Sequence, residues 1–215
     1  KLVKYLRNGI GEAANNGFIP KGMPGFDDFK IQGYHFNLPK AQQLLKEAGV
    51  KNISITLSAT EQYKTLCEFI QNEIQQLGIA VEVAIFPSSA LRQRVGNFEA
   101  SFYRKSWVAD FPEPINYFQL FYGNNFFPDN GYNYYHFKND NYDSLYVLAL
   151  AEQNKSQRYV FYRQMQQIIH DYAPVIPLFY AETLRFYHKY IQGISSNSMN
   201  MLNLKKVKMT RQNSQ

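Results

Sequence analysis

Cysteine and tryptophan are nearly missing from this sequence, with one residue of each among 215. A single cysteine excludes an internal disulfide framework and a cysteine-based zinc site. The longest apolar stretch, 172–181, is about half the roughly 20 residues that a membrane-spanning helix needs. Residues 1–20 contain no apolar run of the length of a secretory leader, and the chain begins at Lys1. We therefore expect a chain that was processed or is a piece of something longer.

Motifs typical of catalytic sites are also missing. The 4 His are scattered, and there is no GxSxG turn and no glycine-rich phosphate loop. One carboxylate pair, Asp110 and Glu113, lies among aromatic residues and leaves open a glycosidase-like acid/base couple. Pro112 between them argues against a shared face, and either carboxylate could instead cap a helix beginning near Ile115. The sequence therefore favours a function without catalysis and without a cofactor.

The net charge of +6 comes from one end of the chain. Residues 183–215 contain six Lys or Arg and no acidic residue, which leaves 17 basic and 17 acidic residues elsewhere. A nucleic-acid-binding surface would place its basic residues along a folded face. We therefore expect no nucleic-acid partner, and we interpret the basic end as a solvated tail or an edge that packs on something absent.

The composition is otherwise that of a globular protein, with 45% hydrophobic and 19% charged residues. Its length predicts one large domain or two small ones. Aromatic residues reach 16%, with 17 Tyr and 17 Phe. Because Tyr is a large amphipathic contact residue, this excess indicates recognition surfaces as well as core.

The first half of the chain has the pattern of an α/β layer with crossover connections. Asn37 is a suitable N-cap for a helix that ends before Gly49. Cys67 is predicted to be a small buried hydrophobe on a later helix. Strands and helices then alternate in the predicted order: strand 53–57, helix 62–77, strand 79–86, a short helix capped by Ser88 and ending before Gly96, and strand 98–107.

The second half begins with an irregular segment, 110–139, that is dense in Pro, Gly, Asn and aromatic residues. Long ordered loops in compact domains are usually functional. The pattern after it predicts the following elements: helix 141–151 capped by Asp140, helix 155–172 with Val160, Met165, Ile168 and Ile169 towards the core, strand 174–180, and a further strand at 184–188.

The end of the third predicted strand is the candidate site. That strand delivers Arg104 and Trp107, and the chain then turns into a Pro-rich loop that carries Asp110. Open α/β sheets bind ligands at the carboxyl ends of their strands. Spacing alone leaves two interpretations open, because Trp107 could equally be a core residue and Asp110 could equally cap a turn.

This stretch, WVADFPEP at 107–114, resembles the Trp-x-x-Asp segment of the extracellular solute-binding proteins of family 5, the oligopeptide- and dipeptide-binding components of ABC importers. Four further blocks fall in the order found in that family: FNLPKAQQLLKEAGV (36–50), EFIQNEIQQLGIAVEV (68–83), YNYYHFKNDNYDSLY (132–146) and RYVFYRQMQQIIHDYAPVIPLFY (158–180). The resemblance thus covers nearly the whole chain.

The resemblance implies an α/β fold of the type II periplasmic-binding-protein kind, in which a mixed sheet is flanked by helices. Residues 1–180 would form the C-terminal ligand-binding lobe, and residues 181–215 a hinge-crossing tail that returns towards an absent N-terminal lobe. The implied function is non-catalytic capture of short peptides by lobe closure, and their delivery to ABC permease subunits. The implied location is the periplasm or the outer face of the cytoplasmic membrane, with or without a lipid anchor.

The resemblance also implies roles for the candidate residues. In peptide-binding members the Asp of the Trp-x-x-Asp element pairs with the α-ammonium group of the ligand, and that residue is Asp110 here. Trp107 is the Trp of the same element. Arg104 matches a position where some members carry an Arg that faces ligand carboxylates, although the strand 98–107 is two residues longer here. No metal site is implied.

The sequence leaves two alternative functions open. The same scaffold could bind an oligosaccharide or another small solute, for which the Tyr- and Asn-rich stretch 116–142 is suited. The other alternative is the carboxylate-pair enzyme. We also expect a lone lobe to self-associate through the apolar surface that its missing partner would cover.

Overall fold

Short helices and strands alternate through most of the chain in the computed structural model, which describes residues 1–129, 131–197 and 200–210. The helices are α1 (Leu2–Leu6), α2 (Phe26–Phe29), α3 (Leu38–Ala48), α4 (Lys64–Gln75), α5 (Ser88–Gly96), α6 (Ile115–Phe118), α7 (Asp140–Ala151) and α8 (Lys155–Tyr172). The strands are β1 (Glu12–Ala13), β2 (Ser54–Ala59), β3 (Ala80–Ile85), β4 (Phe102–Tyr103), β5 (Phe179–Tyr180), β6 (Ile191–Gln192) and β7 (Lys208–Met209). Single 3₁₀ turns lie at Glu61–Tyr63 and Gln119–Phe121.

A three-stranded parallel sheet of order β3-β2-β4 organises the first half. Helices α4 and α5 connect its strands, which confirms the α/β pattern predicted from the sequence. Cys67 on α4 is fully buried with Leu57 and Val81 of the sheet, as predicted for a small hydrophobe. Because the strands are parallel, their carboxyl ends lie at one edge of the sheet, where α/β folds place their ligands.

Helix ends follow local chemistry, with two differences from the sequence prediction. Asn37 caps α3 by accepting a hydrogen bond from the Lys40 N–H at 3.0 Å, as predicted. The cap of α7 is Asn139, whose side chain accepts from the Tyr142 N–H, so Asp140 is the first helical residue and not the cap. Ser88 is likewise the first residue of α5 and makes no capping hydrogen bond.

The third strand of the sheet is much shorter than the predicted 98–107. Phe98 has a φ of 61° and donates its N–H to the Val95 carbonyl, so the chain is still closing α5 at this point. A left-handed residue cannot begin an extended strand, and pairing with β2 starts only at Phe102. The pairing of β4 with β2 ends one residue after Tyr103, where the Arg104 N–H donates to the Ser58 carbonyl at 2.9 Å.

The main core lies in the second half, between α7, α8 and the aromatic turn that contains α6. Tyr142 is fully buried and donates its hydroxyl to the Phe118 carbonyl at 2.7 Å. Met165 and Ile169 of α8 point into this core, as predicted, whereas Val160 is 47% exposed, against the prediction. This core supports the loop that carries the candidate site.

One buried side chain joins the N-terminal segment to α8. Gln166, which is 1% exposed, accepts from the N–H groups of Phe18 and Ile19 and donates to the Phe29 carbonyl at 2.9 Å. A Cβ at position 17 would collide with the Gln166 amide, so the glycine there permits the close approach. Gln166 thereby adds to the packing of α2 on α8, in which the Phe29 ring lies 5.7 Å from that of Tyr162.

The C-terminal part of the chain forms only short pairings. Of the predicted strand 174–180, the last two residues pair antiparallel with β1, because Pro174 and Pro177 cannot donate to a ladder. No strand forms at 184–188; β6 and β7 pair with each other instead. No helix in the described ranges combines the length and the apolar character needed to cross a bilayer.

We expect Gln166→Met to lower the free energy of unfolding by about 2–4 kcal/mol, because it leaves buried N–H and C=O groups without partners. Gln167→Met is the matched control, since Gln167 is exposed and bonds only to Asp171. Urea denaturation of both variants measures the difference. Equal midpoints for the two would contradict the structural role of Gln166.

Candidate functional site

The loop that follows β4 is held by a single buried amide, that of Asn116 on α6. Its Oδ1 accepts from the indole N–H of Trp107 at 2.8 Å and from the backbone N–H of Asp110 at 3.3 Å. Its Nδ2 donates to the carboxylate of Asp110 at 3.4 Å. Asn116 thus brings together two of the residues that the sequence singled out.

Sequence reasoning missed Asn116. It is 1% exposed, and it is the lone short polar side chain among the apolar neighbours Ile115, Tyr117 and Phe118. A buried amide is costly unless its donors and acceptors are satisfied. That position inside an apolar helix was the available signal, but the sequence cannot say which groups satisfy it.

Asp110 itself faces outward. Ala109 is buried, whereas Asp110, Phe111 and Val108 are exposed, Val108 by 70%. In the part of the chain that the structure describes, no Lys or Arg side chain pairs with the Asp110 carboxylate. Asp110 is therefore a surface carboxylate that has no cationic partner among the described residues.

Glu113 has a different environment from Asp110. It accepts a hydrogen bond from the Tyr162 hydroxyl on α8 at 2.7 Å and lies 3.8 Å from Nε of Arg158. Burial raises the pKa of the Tyr162 hydroxyl, and the Glu113 hydrogen bond raises it further. Because Asp110 and Glu113 are held by different partners, the geometry gives no support to a shared acid/base couple.

Arg104 lies on the other side of the loop. Its guanidinium sits 3.2 Å from the centre of the Tyr63 ring, and its Nη1 donates to the Ser106 hydroxyl at 3.2 Å. Burial lowers the pKa of Arg104, and Tyr63 partly offsets this. It makes no hydrogen bond to Trp107 or Asp110.

An open depression of about 460 Å³ adjoins Tyr63, at the carboxyl ends of β2 and β3. Its lining comes from the two segments that follow these strands, 60–62 and 85–88. A volume of this size is within the range of small-molecule sites. It has the location at which parallel sheets bind ligands.

Two further cations lie beside the loop. The Lys105 ammonium lies 3.2 Å from the centre of the Tyr134 ring. The Arg92 guanidinium lies 5.0 Å from the centre of the Phe127 ring. Lys105 is an exposed residue, but the Tyr134 ring partly shields its ammonium from water. This partial desolvation, together with the nearby positive charge of Arg92, lowers the pKa of Lys105 to about 8. Trp107 packs against the same aromatic cluster and lies 5.3 Å from the ring of Tyr132.

A metal centre has no candidate ligands in this region. Within the ranges that the structure describes, no three His, Cys, Asp or Glu side chains are grouped so that they could hold an ion. The chemistry of the site is therefore that of one carboxylate, several cations and aromatic faces.

Comparison with known families agrees with this arrangement. Residues 1–129 match the family model described as bacterial extracellular solute-binding proteins, family 5 middle. The chain belongs to this family. The match confirms the resemblance to this family and covers the Trp107–Pro114 segment and the blocks 36–50 and 68–83.

Curated relatives of this family 5 chain are binding proteins by name. The dipeptide-binding protein of Escherichia coli is 26% identical over 200 residues, covering 89% of this chain and 37% of the relative. Heme-binding protein A of Haemophilus influenzae is also 26% identical, covering 82% of this chain and 33% of the relative. The chain thus spans about a third of the length of these relatives.

A solved structure confirms the fold class of this family 5 chain. The periplasmic binding protein DppA from Helicobacter pylori, in complex with the peptide STSA, superposes with a TM-score of 0.79 at 24% identity. The superposition covers 97% of this chain and 41% of the other. The α/β architecture is therefore periplasmic-binding-protein-like.

We expect Asn116→Ala to change the environment of Trp107 as well as the stability. Because the chain has a single Trp, all indole emission comes from this residue. Loss of the Asn116 acceptor should shift the emission maximum and increase quenching by iodide, with a destabilisation of about 2 kcal/mol.

Gln166→Met is the matched control. Gln166 is also buried, and its side chain bonds to backbone groups of Phe18, Ile19 and Phe29 but not to the Trp107 loop. It should destabilise by a similar amount and leave the folded-state emission unchanged. If both variants alter the emission equally, Asn116 has no specific role at Trp107.

We expect the Lys105 ammonium to titrate with a midpoint near pH 8. NMR of the lysine ε-carbons measures this titration. The folded-state pKa of Lys105 lies below the unfolded value of about 10.4, so its contribution to stability rises with pH between these two values. Arg92→Gln should raise the midpoint by removing a like charge, whereas Arg94→Gln, whose side chain pairs with Glu99, should leave it unchanged. An unshifted midpoint in Arg92→Gln would contradict the coupling.

Proposed function

We propose that this chain is the C-terminal part of the substrate-binding component of an ABC-type importer of short peptides. It captures its ligand without catalysis, and the ligand is released to permease subunits in the membrane. Membership of the solute-binding family and the relative named as a dipeptide-binding protein support this proposal. The observation that carries it is the outward-facing Asp110 carboxylate, held by Asn116 and without a cationic partner among the described residues.

Asp110 pairs with the α-ammonium group of the peptide. An ammonium enclosed in a closing cleft loses its water and needs a carboxylate in return. A charge-assisted hydrogen bond supplies about 1.5–3 kcal/mol, and an unpaired buried ammonium costs about 3–5 kcal/mol. The Asn116 amide holds the backbone of Asp110, so little order is lost when the ligand binds.

Arg104 and Trp107 complete this part of the site. Arg104, whose guanidinium lies on the Tyr63 ring, presents a cation to a ligand carboxylate. Trp107 supplies an aromatic surface between the Arg104 guanidinium and the Asp110 carboxylate. The depression at the carboxyl ends of β2 and β3, whose lining includes Gln62 beside Tyr63 in the sequence, receives a ligand side chain.

Residues 1–180 form one lobe of a two-lobed protein, and residues 181–215 cross a hinge back to the other lobe. The relatives are more than twice as long as this chain, and Phe186 in the tail is 93% exposed. Leu184, Tyr187 and Met201 are also more than half exposed, which suits a surface that another lobe covers. Without that lobe, the same surface favours self-association.

Binding works by lobe closure. Open and closed forms interconvert, and contacts of one ligand with both lobes shift the population towards the closed form. The family is described as extracellular, so the protein works in the periplasm or at the outer face of the cytoplasmic membrane, where a lipid anchor would retain it.

The test is isothermal calorimetry on the two-lobed protein with a dipeptide pool. Asp110→Asn should weaken binding by about a hundredfold or more, because the ammonium loses its counter-charge. N-acetylated peptides should bind weakly to the wild type and should not discriminate between the two proteins.

Glu113→Gln is the matched control, since Gln can still accept the Tyr162 hydrogen bond and should leave peptide affinity near the wild-type value. An oligosaccharide panel tests the other ligand class in parallel. Unchanged peptide affinity in Asp110→Asn, or binding of sugars in place of peptides, would refute the proposed function.

A further inference from the structure

Two cations on the opposite side of β4 from Arg104 lack an anionic partner. Successive side chains of an extended segment point to opposite faces, so Arg104 reaches Tyr63 while Lys105 reaches Tyr134. Arg92 on α5 lies on the Lys105 side. Both residues are exposed, and neither side chain makes a hydrogen bond or ion pair with any residue that the structure describes.

Aromatic rings, and not carboxylates, hold these two cations in place. Tyr134 and Phe127 are buried, with their ring centres 4.5 Å apart, and the Tyr134 backbone accepts a hydrogen bond from the Tyr103 hydroxyl at 2.5 Å. We refer to Arg92, Lys105, Phe127 and Tyr134 as the basic patch. Cation–π contacts hold a charge without neutralising it.

The charges of the basic patch repel each other. The lowered pKa of Lys105 reflects partial desolvation first and then the Arg92 charge. Arg94 on the same helix shows the ordinary alternative, because it pairs with Glu99 at 3.4 Å. An anion between Arg92 and Lys105 would offset their repulsion and favour the charged form of Lys105.

The basic patch is continuous with the candidate site. Trp107 packs against the cluster that contains Phe127 and Tyr134, and the same residue shares the Asn116 amide with Asp110. A ligand that spans the loop from Asp110 past Trp107 therefore reaches the basic patch. One terminal carboxylate can neutralise Arg104, which leaves the charges of the patch for another group.

We propose that Arg92 and Lys105 form a second anion subsite, which binds a ligand carboxylate in addition to the one that faces Arg104. This inference rests on the proposed function and narrows its ligands to acidic peptides. The carboxylate is that of an Asp or Glu side chain, since the C-terminus is the group that Arg104 neutralises.

The experiment measures the affinities of Ala-Ala-Ala, Ala-Glu-Ala and Ala-Gln-Ala, each with a free or an amidated C-terminus, for the two-lobed protein. Wild type should bind Ala-Glu-Ala about tenfold more tightly than Ala-Gln-Ala, the gain of one charge-assisted contact. The double variant Arg92→Gln/Lys105→Gln should lose this preference and keep its affinity for Ala-Ala-Ala. Arg94→Gln, whose cation is already paired, should behave as wild type.

The outcomes distinguish failure of the anion subsite from failure of the proposed peptide-binding function. If amidation instead of the Glu side chain changes affinity in wild type but not in the double variant, the basic patch binds the C-terminus and the acidic-side-chain subsite is refuted. If the double variant keeps every preference of wild type while Asp110→Asn still loses binding, the subsite is refuted and the proposed function survives. If no peptide binds to wild type, the proposed function fails and the subsite fails with it.

Discussion

The buried amide of Asn116 links two stretches of chain that have no other regular connection. Beyond Arg104 the loop makes no strand pairing, and its conformation depends on side-chain contacts with the core beneath it. Asn116 holds Trp107 and Asp110 at one end, and Tyr162 holds Glu113 at the other. Because both anchors are buried, the loop is rigid where it meets the core and presents its carboxylate outward.

The abundance of aromatic residues has a second use besides filling the core. Tyr63, Phe127 and Tyr134 each place a cation at the rim of the site, and the rings do so without supplying a negative charge. A carboxylate in the same place would hold an Arg or Lys equally well but would cancel its charge. Aromatic rings can therefore position the cations of an anion-binding surface without neutralising them, whereas carboxylates would neutralise them.

Much of the fold could be predicted from the sequence because its signals are local. The alternation of helix and strand between Asn37 and Ser88, the cap at Asn37 and the burial of Cys67 depend on patterns within a few residues. The predicted strand 98–107 was wrong because the left-handed Phe98 continues the end of α5, a choice that no hydrophobic pattern records. Val160 was misplaced for a similar reason, since the packing of α8 against its neighbours decides which face is covered.

The sequence by itself determined the family, the α/β order and the positions of Arg104, Trp107 and Asp110, because these depend on residue identity and spacing along the chain. Only the tertiary structure decided which of the charged groups are neutralised. Glu113 is bound by a tyrosine 49 residues away, while Asp110 is left free of cations among the described residues. Such pairings depend on contacts between distant segments, and their energies exist only once those segments have packed together.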